Sequence, residues 1–150
     1  MSQEYDALID LLAIIVKDGI YTPFDKIIRS QDRDIVLSSL YEALRYVAPD
    51  IKRCANYLNC LKALREGESR EKCVNALPIA GEDRCNDIAN AIDPRKLPES
   101  LEKLGEVIEE VSRGKLTKAK RIAMLAVQRG LHYSLKKSPG QTTDQATLIG

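Results

Sequence analysis

Arg113, Lys115, Lys118, Lys120, Arg121, Arg129, Lys136 and Lys137 all fall within residues 111–137, a stretch without a single acidic residue. It carries +8 in a chain whose net charge is +1. The preceding 110 residues hold 15 basic and 21 acidic side chains, a balance of −6. Positive charge collected on one segment of a near-neutral protein suits a polyanion. Lys and Arg there would neutralise phosphates and release counterions. Such binding is salt-dependent and does not read base sequence.

No other chemistry competes with this one. His132 is the only histidine. Among basic neighbours it suits a surface or phosphate contact better than a general base, since no Ser or Cys stands in a recognisable nucleophile setting. A Gly-rich phosphate loop and a paired-carboxylate motif are both missing. Asp32 reads as a helix cap and Asp34 as a first-turn acid, so with Asp25 they need no metal. The expectation is a protein that is not an enzyme and has no cofactor, metal or small-molecule substrate.

Cys54, Cys60, Cys73 and Cys85 are spaced C-x5-C-x12-C-x11-C, without the close pairs that zinc sites favour. Buried thiols are the plainer reading and disulfides the other, with Cys73–Cys85 the first pair to consider because they bracket an irregular segment. Intracellular disulfides are usual only in hyperthermophiles. High charge with little Gln, Asn and Met leans the same way. The apolar run Leu8–Val16 is interrupted by Asp10 and preceded by acids, so it reads neither as a secretory signal nor as a membrane span. A soluble cytoplasmic chain is expected.

The elements that carry these residues read as helices. The chain has 150 residues, 44% hydrophobic, with one Phe and no Trp. One all-α domain of about six to eight helices over residues 1–137 is expected, with a polar tail at 138–150. Tyr5, Leu8, Ile9, Leu12, Ile15 and Val16 form a helical stripe that Gly19 stops. Thr22-Pro23 reads as a cap with proline behind it, opening a short helix to Arg29. Asp32 caps a helix with Val36, Leu40, Ala43, Leu44 and Val47 on one face, and Pro49 ends that helix or starts the next. Helices follow at 51–65, at 82–92, and from Pro98 to Val111, with Asp93-Pro94 repeating the cap-plus-proline signal before the last. Ser69–Leu77 could form a short helix, and a small β-hairpin between Gly67 and Pro98 stays open. Arg113-Gly114 is a hinge. Thr117 then caps a helix to Lys136 that Ser138-Pro139-Gly140 terminates.

At about 100° per residue, with Lys118 at 0°, Lys136 falls at about 0° and Arg129 at about 20°. His132, Arg121 and Gln128 lie between about 280° and 320°. Ala119, Ala123, Ala126, Val127, Gly130 and Leu131 occupy the arc from about 80° to 220°, with Lys120 an exception inside it. The small face would pack on another helix and the basic stripe project outward. Ile122 and Leu125, beside that stripe, would face a partner. The alternative is that the basic helix pairs with the acidic helix before it, which carries Glu99, Glu102, Glu106, Glu109 and Glu110. Arg45 beside Tyr41 and Tyr46 is either a base-stacking mix or the edge of an amphipathic helix.

Two stretches carry a resemblance. Leu11–Val47, with Tyr21, Asp25 and the Ala43-Leu44-Arg45 helix end, and the Ala-rich basic segment Lys118–Ser134 resemble the small subunit of the archaeal type I-A CRISPR surveillance (Cascade) complex. The resemblance covers about one third of the chain. It implies an antiviral-defence protein that is helical and non-catalytic. Such a subunit packs along larger subunits and helps hold DNA. A second reading is a DNA-wrapping coat (capsid) protein of a filamentous virus of hyperthermophilic archaea, found in the virion. A third is a protein-interaction adaptor. The expected partners are nucleic acid, DNA before RNA, and larger subunits or copies of the chain.

Overall fold

The computed structural model describes residues 3–67 and 83–142, with side chains over 4–67 and 84–133. Seven α-helices account for nearly all of this: α1 Asp6–Lys17, α2 Thr22–Arg29, α3 Arg33–Arg53, α4 Ala55–Arg65, α5 Asp83–Ala91, α6 Leu97–Ser112 and α7 Thr117–Thr142. Two short 3-10 turns precede α1 and α6. No strand occurs among the described residues, so the protein is an all-α bundle. The possible helix at Ser69–Leu77 lies outside the described residues, as does Cys73.

Helix α1 is the centre of the bundle. Its residues from Leu11 to Val16 are all buried, as are Ala7, Leu8 and Ile9. A helix apolar on every side belongs inside a protein rather than at its surface. α7 runs along it, and α6, α5 and α3 close the other sides. α2 lies against both α3 and α7, with Phe24 and Ile27 in the core. At the end of α1 the chain reverses at Gly19, whose φ is +88°. The amide of Ile20 there donates to the carbonyl of Ile15 at 3.2 Å, closing the helix in the way a left-handed glycine allows.

Capping follows the sequence at two positions and departs from it at another. The Asp32 carboxylate accepts from the Asp34 amide at 2.8 Å. Asp93 accepts from the Arg95 amide at 2.9 Å and also binds Arg65 of α4 at 3.3 Å. The Arg95 guanidinium and amide hold the Asp93 carboxyl well below the usual carboxylate range. The stability it lends is therefore present above the ordinary aspartate range and lost as pH falls through the lowered value. Thr22, by contrast, is already inside α2, whose cap residue Tyr21 makes no side-chain bond.

Prolines do not stop two of the helices. α3 continues through Pro49 to Arg53, so the segment expected to begin a new helix at residue 51 belongs to it. Pro49 is exposed, as is Arg45, whose carbonyl the missing N–H leaves without its helical donor. α7 likewise passes Ser138, Pro139 and Gly140 to reach Thr142.

Cys54, at the end of α3, is disulfide-bonded to Cys85 of α5, with 5.5 Å between their Cα atoms. Cys85 therefore does not pair with Cys73. Cys60 is disulfide-bonded as well, and no free thiol occurs among the described residues. The buried-thiol reading gives way to covalent staples. Beside the Cys54–Cys85 bridge, Arg84 spans Asp18 at 2.7 Å and Asp50 at 2.9 Å. With Lys17 of α1 also 3.9 Å from Asp87, helix α5 is clamped to α1 and α3 by one covalent and three ionic ties.

Candidate nucleic-acid interface

The α6–α7 turn sets the start of the basic helix. Gly114 takes φ +87°, which lets the Lys115 amide reach back to the Glu110 carbonyl at 3.0 Å. From Thr117 onward the helix presents Ala119, Ile122, Ala123, Ala126 and Gly130 to the core. Small side chains at these steps let α7 lie close on α1. At Gly130 the approach is extreme. A Cβ there would stand 2.5 Å from the Cβ of Val16 and 2.9 Å from the carbonyl oxygen of Ala13.

Close packing decides the fate of the flanking cations. Lys118, at one edge of the buried arc, donates to the Tyr5 hydroxyl at 2.8 Å and to Glu110 at 2.9 Å. Its ammonium also sits 4.9 Å from the centre of the Tyr5 ring. The hydroxyl contact first, and Glu110 next, hold Lys118 well above the usual lysine range. Arg129, on the same edge three turns on, donates to Asp10 at 2.8 Å and lies 3.6 Å from Asp6. Burial pushes the Asp10 carboxyl up, and Arg129 opposes that shift without cancelling it. On the opposite edge, Lys120 closes the end of α2. It donates to the carbonyls of Ile27 at 2.8 Å and Ile28 at 3.0 Å, and to that of Ser30. A lysine in the apolar arc is explained: it caps another helix.

The expected row of free charges is therefore broken. Lys118 and Arg129 are occupied inside the protein. The pairing reading holds in part, but with α1 as the main partner of Arg129 rather than the acidic helix before it. Arg113 pairs with Glu109 at 2.9 Å, both largely exposed, a contact of little energy. Lys115 and Arg121 are exposed and have no carboxylate partner among the described residues. His132 is exposed, with its ring centre 6.5 Å from that of Tyr133. The side chains of Lys136 and Lys137 lie outside the described ones, although the helix that carries them is continuous.

An open cleft of about 560 Å³ lies at the start of α7, lined by Glu4, Tyr5, Glu110, Lys115, Lys118 and Arg121 among others. Of the expected phosphate contacts, Arg113, Lys115, Lys118 and Arg121 cluster at this end of the helix. Arg129 and His132 stand further along it.

The apolar assignments also shift. Ile122 is 2% exposed, so it is core, and Leu125 packs half-buried against the core. Neither is a free partner-facing residue. Leu131, placed by its angle on the buried face, is 41% exposed, and Met124 beside it is the most exposed large apolar residue described. The true buried arc is centred nearer 90° than 150° from Lys118. On α3, Tyr41 and Arg45 are exposed, and Arg45 has no carboxylate partner among the described residues. Tyr46 sits beside Asp18 and Arg84, with partial burial and then Asp18 raising its hydroxyl pKa.

Sequence reasoning missed Tyr5, Asp6 and Asp10 as the internal partners of the basic helix. Acids at positions 6 and 10 of the most apolar helix were a signal, because a central helix must find cations for any acid at its rim.

Among the described residues, no group of three or more His, Cys, Asp or Glu is placed to hold a metal ion. No helix among them is long and apolar enough to cross a membrane. Compared with protein-family models, with curated proteins and with solved structures, the chain finds no match.

Proposed function

We propose that the protein is a non-catalytic, nucleic-acid-binding structural subunit that grips phosphates at the start of α7 rather than along its length. The observation that carries this reading is the state of the arginines. Of ten in the described residues, eight make ion pairs with carboxylates, and only Arg45 and Arg121 do not. Arg121 stands at the cleft beside exposed Lys115, at the N-terminal end of a 26-residue helix. The dipole of that helix adds to the attraction for an anion. Two uncompensated cations and a helix start suit a backbone contact without base readout. DNA as the ligand, and a place beside larger subunits as in the CRISPR assembly that the sequence resembles, belong to the same proposal.

The test is binding to single- and double-stranded DNA over a salt series. Changing Lys115 and Arg121 together to Ala is expected to weaken binding and to flatten the plot of log affinity against log salt by about 1.4–1.8, the share of two phosphate contacts. Unfolding should be unchanged. Equal affinity and equal slope in the variant would remove this end of α7 as the binding surface.

A further inference from the structure

Helix α6 holds a glycine that nothing in its own fold requires. Gly105 lies in the middle of a 16-residue helix, is exposed, and a Cβ added there would meet no atom within 4 Å. A helix-interior glycine costs about 1 kcal/mol relative to alanine. Gly130 offsets its cost by close contact with α1, whereas Gly105 has no such contact among the described residues. It sits on an outward face with Leu101, itself 38% exposed, and with Glu99, Glu102, Glu106 and Glu109. Glu99 and Glu102 have no cationic partner among the described residues.

A face of the opposite character exists on α3. Tyr41, Arg45, Pro49 and Lys52 recur at three- to four-residue steps, Ile35 lies six residues before Tyr41, and all are exposed. That spacing places Tyr41, Arg45, Pro49 and Lys52 on one side of a helix, with Ile35 at its border. Arg45 and Lys52 have no acidic partner among the described residues. The chain thus carries one outward face with unmatched acids around a flat spot, and another with unmatched cations around apolar side chains.

We propose that these two faces dock on each other between copies of the chain, α6 of one molecule receiving α3 of the next. The missing side chain at Gly105 lets the second helix approach, as small residues do wherever helix backbones come close. Leu101 would meet the Ile35–Tyr41 side, and the glutamates would flank Arg45 and Lys52. The complementary charges set the pairing and its register. Arg45, the second arginine without a carboxylate, gains a role distinct from that of Arg121. The inference does not rest on nucleic-acid binding, and its test contains none.

The experiment is molar mass in solution, by sedimentation or light scattering, over a range of protein and salt concentrations. The native chain is expected to associate as concentration rises and to separate as salt rises. Gly105→Gln should be monomeric under the same conditions, with an unfolding midpoint equal to or above that of the native chain because glutamine is the better helix former. Glu99→Lys/Glu102→Lys and Arg45→Glu/Lys52→Glu should each be monomeric alone and should associate when mixed, since mixing restores opposite charges across one junction. A native chain that stays monomeric throughout, or a Gly105→Gln variant that associates as the native chain does, overturns the proposal. Mixed charge-reversed variants that stay apart overturn it too.

Discussion

Replacing Gly130 with Val is expected to destabilise the protein by about 2–3 kcal/mol, the usual cost of forcing extra methyl groups into a filled contact. The cause is steric: the first added carbon already falls 2.5 Å from Val16 Cβ and 2.6 Å from its Cγ1. Neither helix can yield easily, because α1 is enclosed on its other sides by α3, α5 and α6. Gly130→Ala should show the same sign with a smaller size, since the clash is offset in part by the roughly 1 kcal/mol of helix propensity that alanine gains. The control is Gly105→Ala. At that exposed position the same change meets nothing and should stabilise the dilute monomer by about 0.5–1 kcal/mol. Denaturant unfolding of the two alanine variants reads the difference. Stabilisation at both sites would mean that α7 does not lie on α1 at backbone contact.

Removing the bridge with Cys54→Ala and Cys85→Ala is expected to cost more. The bridge closes 31 residues, and a closed loop of that length corresponds to about 3–4 kcal/mol in the chain-entropy description. The clamp is local as well, because α5 brings Ile88 into the core, with Ile92 just beyond its end, and holds Arg84 against Asp18 and Asp50. Reductant should lower the unfolding midpoint of the native chain and leave this bridge-free variant affected only through Cys60. Peptide mapping should recover Cys54 linked to Cys85. Recovery of Cys73 linked to Cys85 would contradict the fold around α5.

The sequence announced its helices well and their neighbours poorly, for a physical reason. Stripes, caps and stop signals are local, so the Gly19 stop and the caps at Asp32 and Asp93 stand where the pattern puts them. Pro49 misled because an exposed proline can be carried inside a long helix when water takes up the freed carbonyl. The cation stripe misled because helical angle alone does not say which edge of a buried arc meets another helix. Lys118, Lys120 and Arg129 lie at the two edges and are claimed by Tyr5, by the end of α2 and by Asp10. Only tertiary packing reveals that claim. Gly130 was legible as a small residue on a small face, but the partner that needs it, Val16, lies 114 residues earlier. The cysteine pairing was not legible at all, since spacing does not fix which thiols meet.

What separates binding cations from structural ones is a comparison of Arg121→Ala with Arg129→Ala, measuring DNA affinity over a salt series and the unfolding midpoint of each. The two substitutions should have opposite outcomes. Arg121→Ala should lose affinity, with a salt slope smaller by about 1, and keep its midpoint. Arg129→Ala should lose about 1–2 kcal/mol of stability, because Asp10 is left half-buried without its cation, and should bind DNA as the native chain does while folded. Loss of affinity in Arg129→Ala with none in Arg121→Ala would contradict the division of charge on which the proposed function stands.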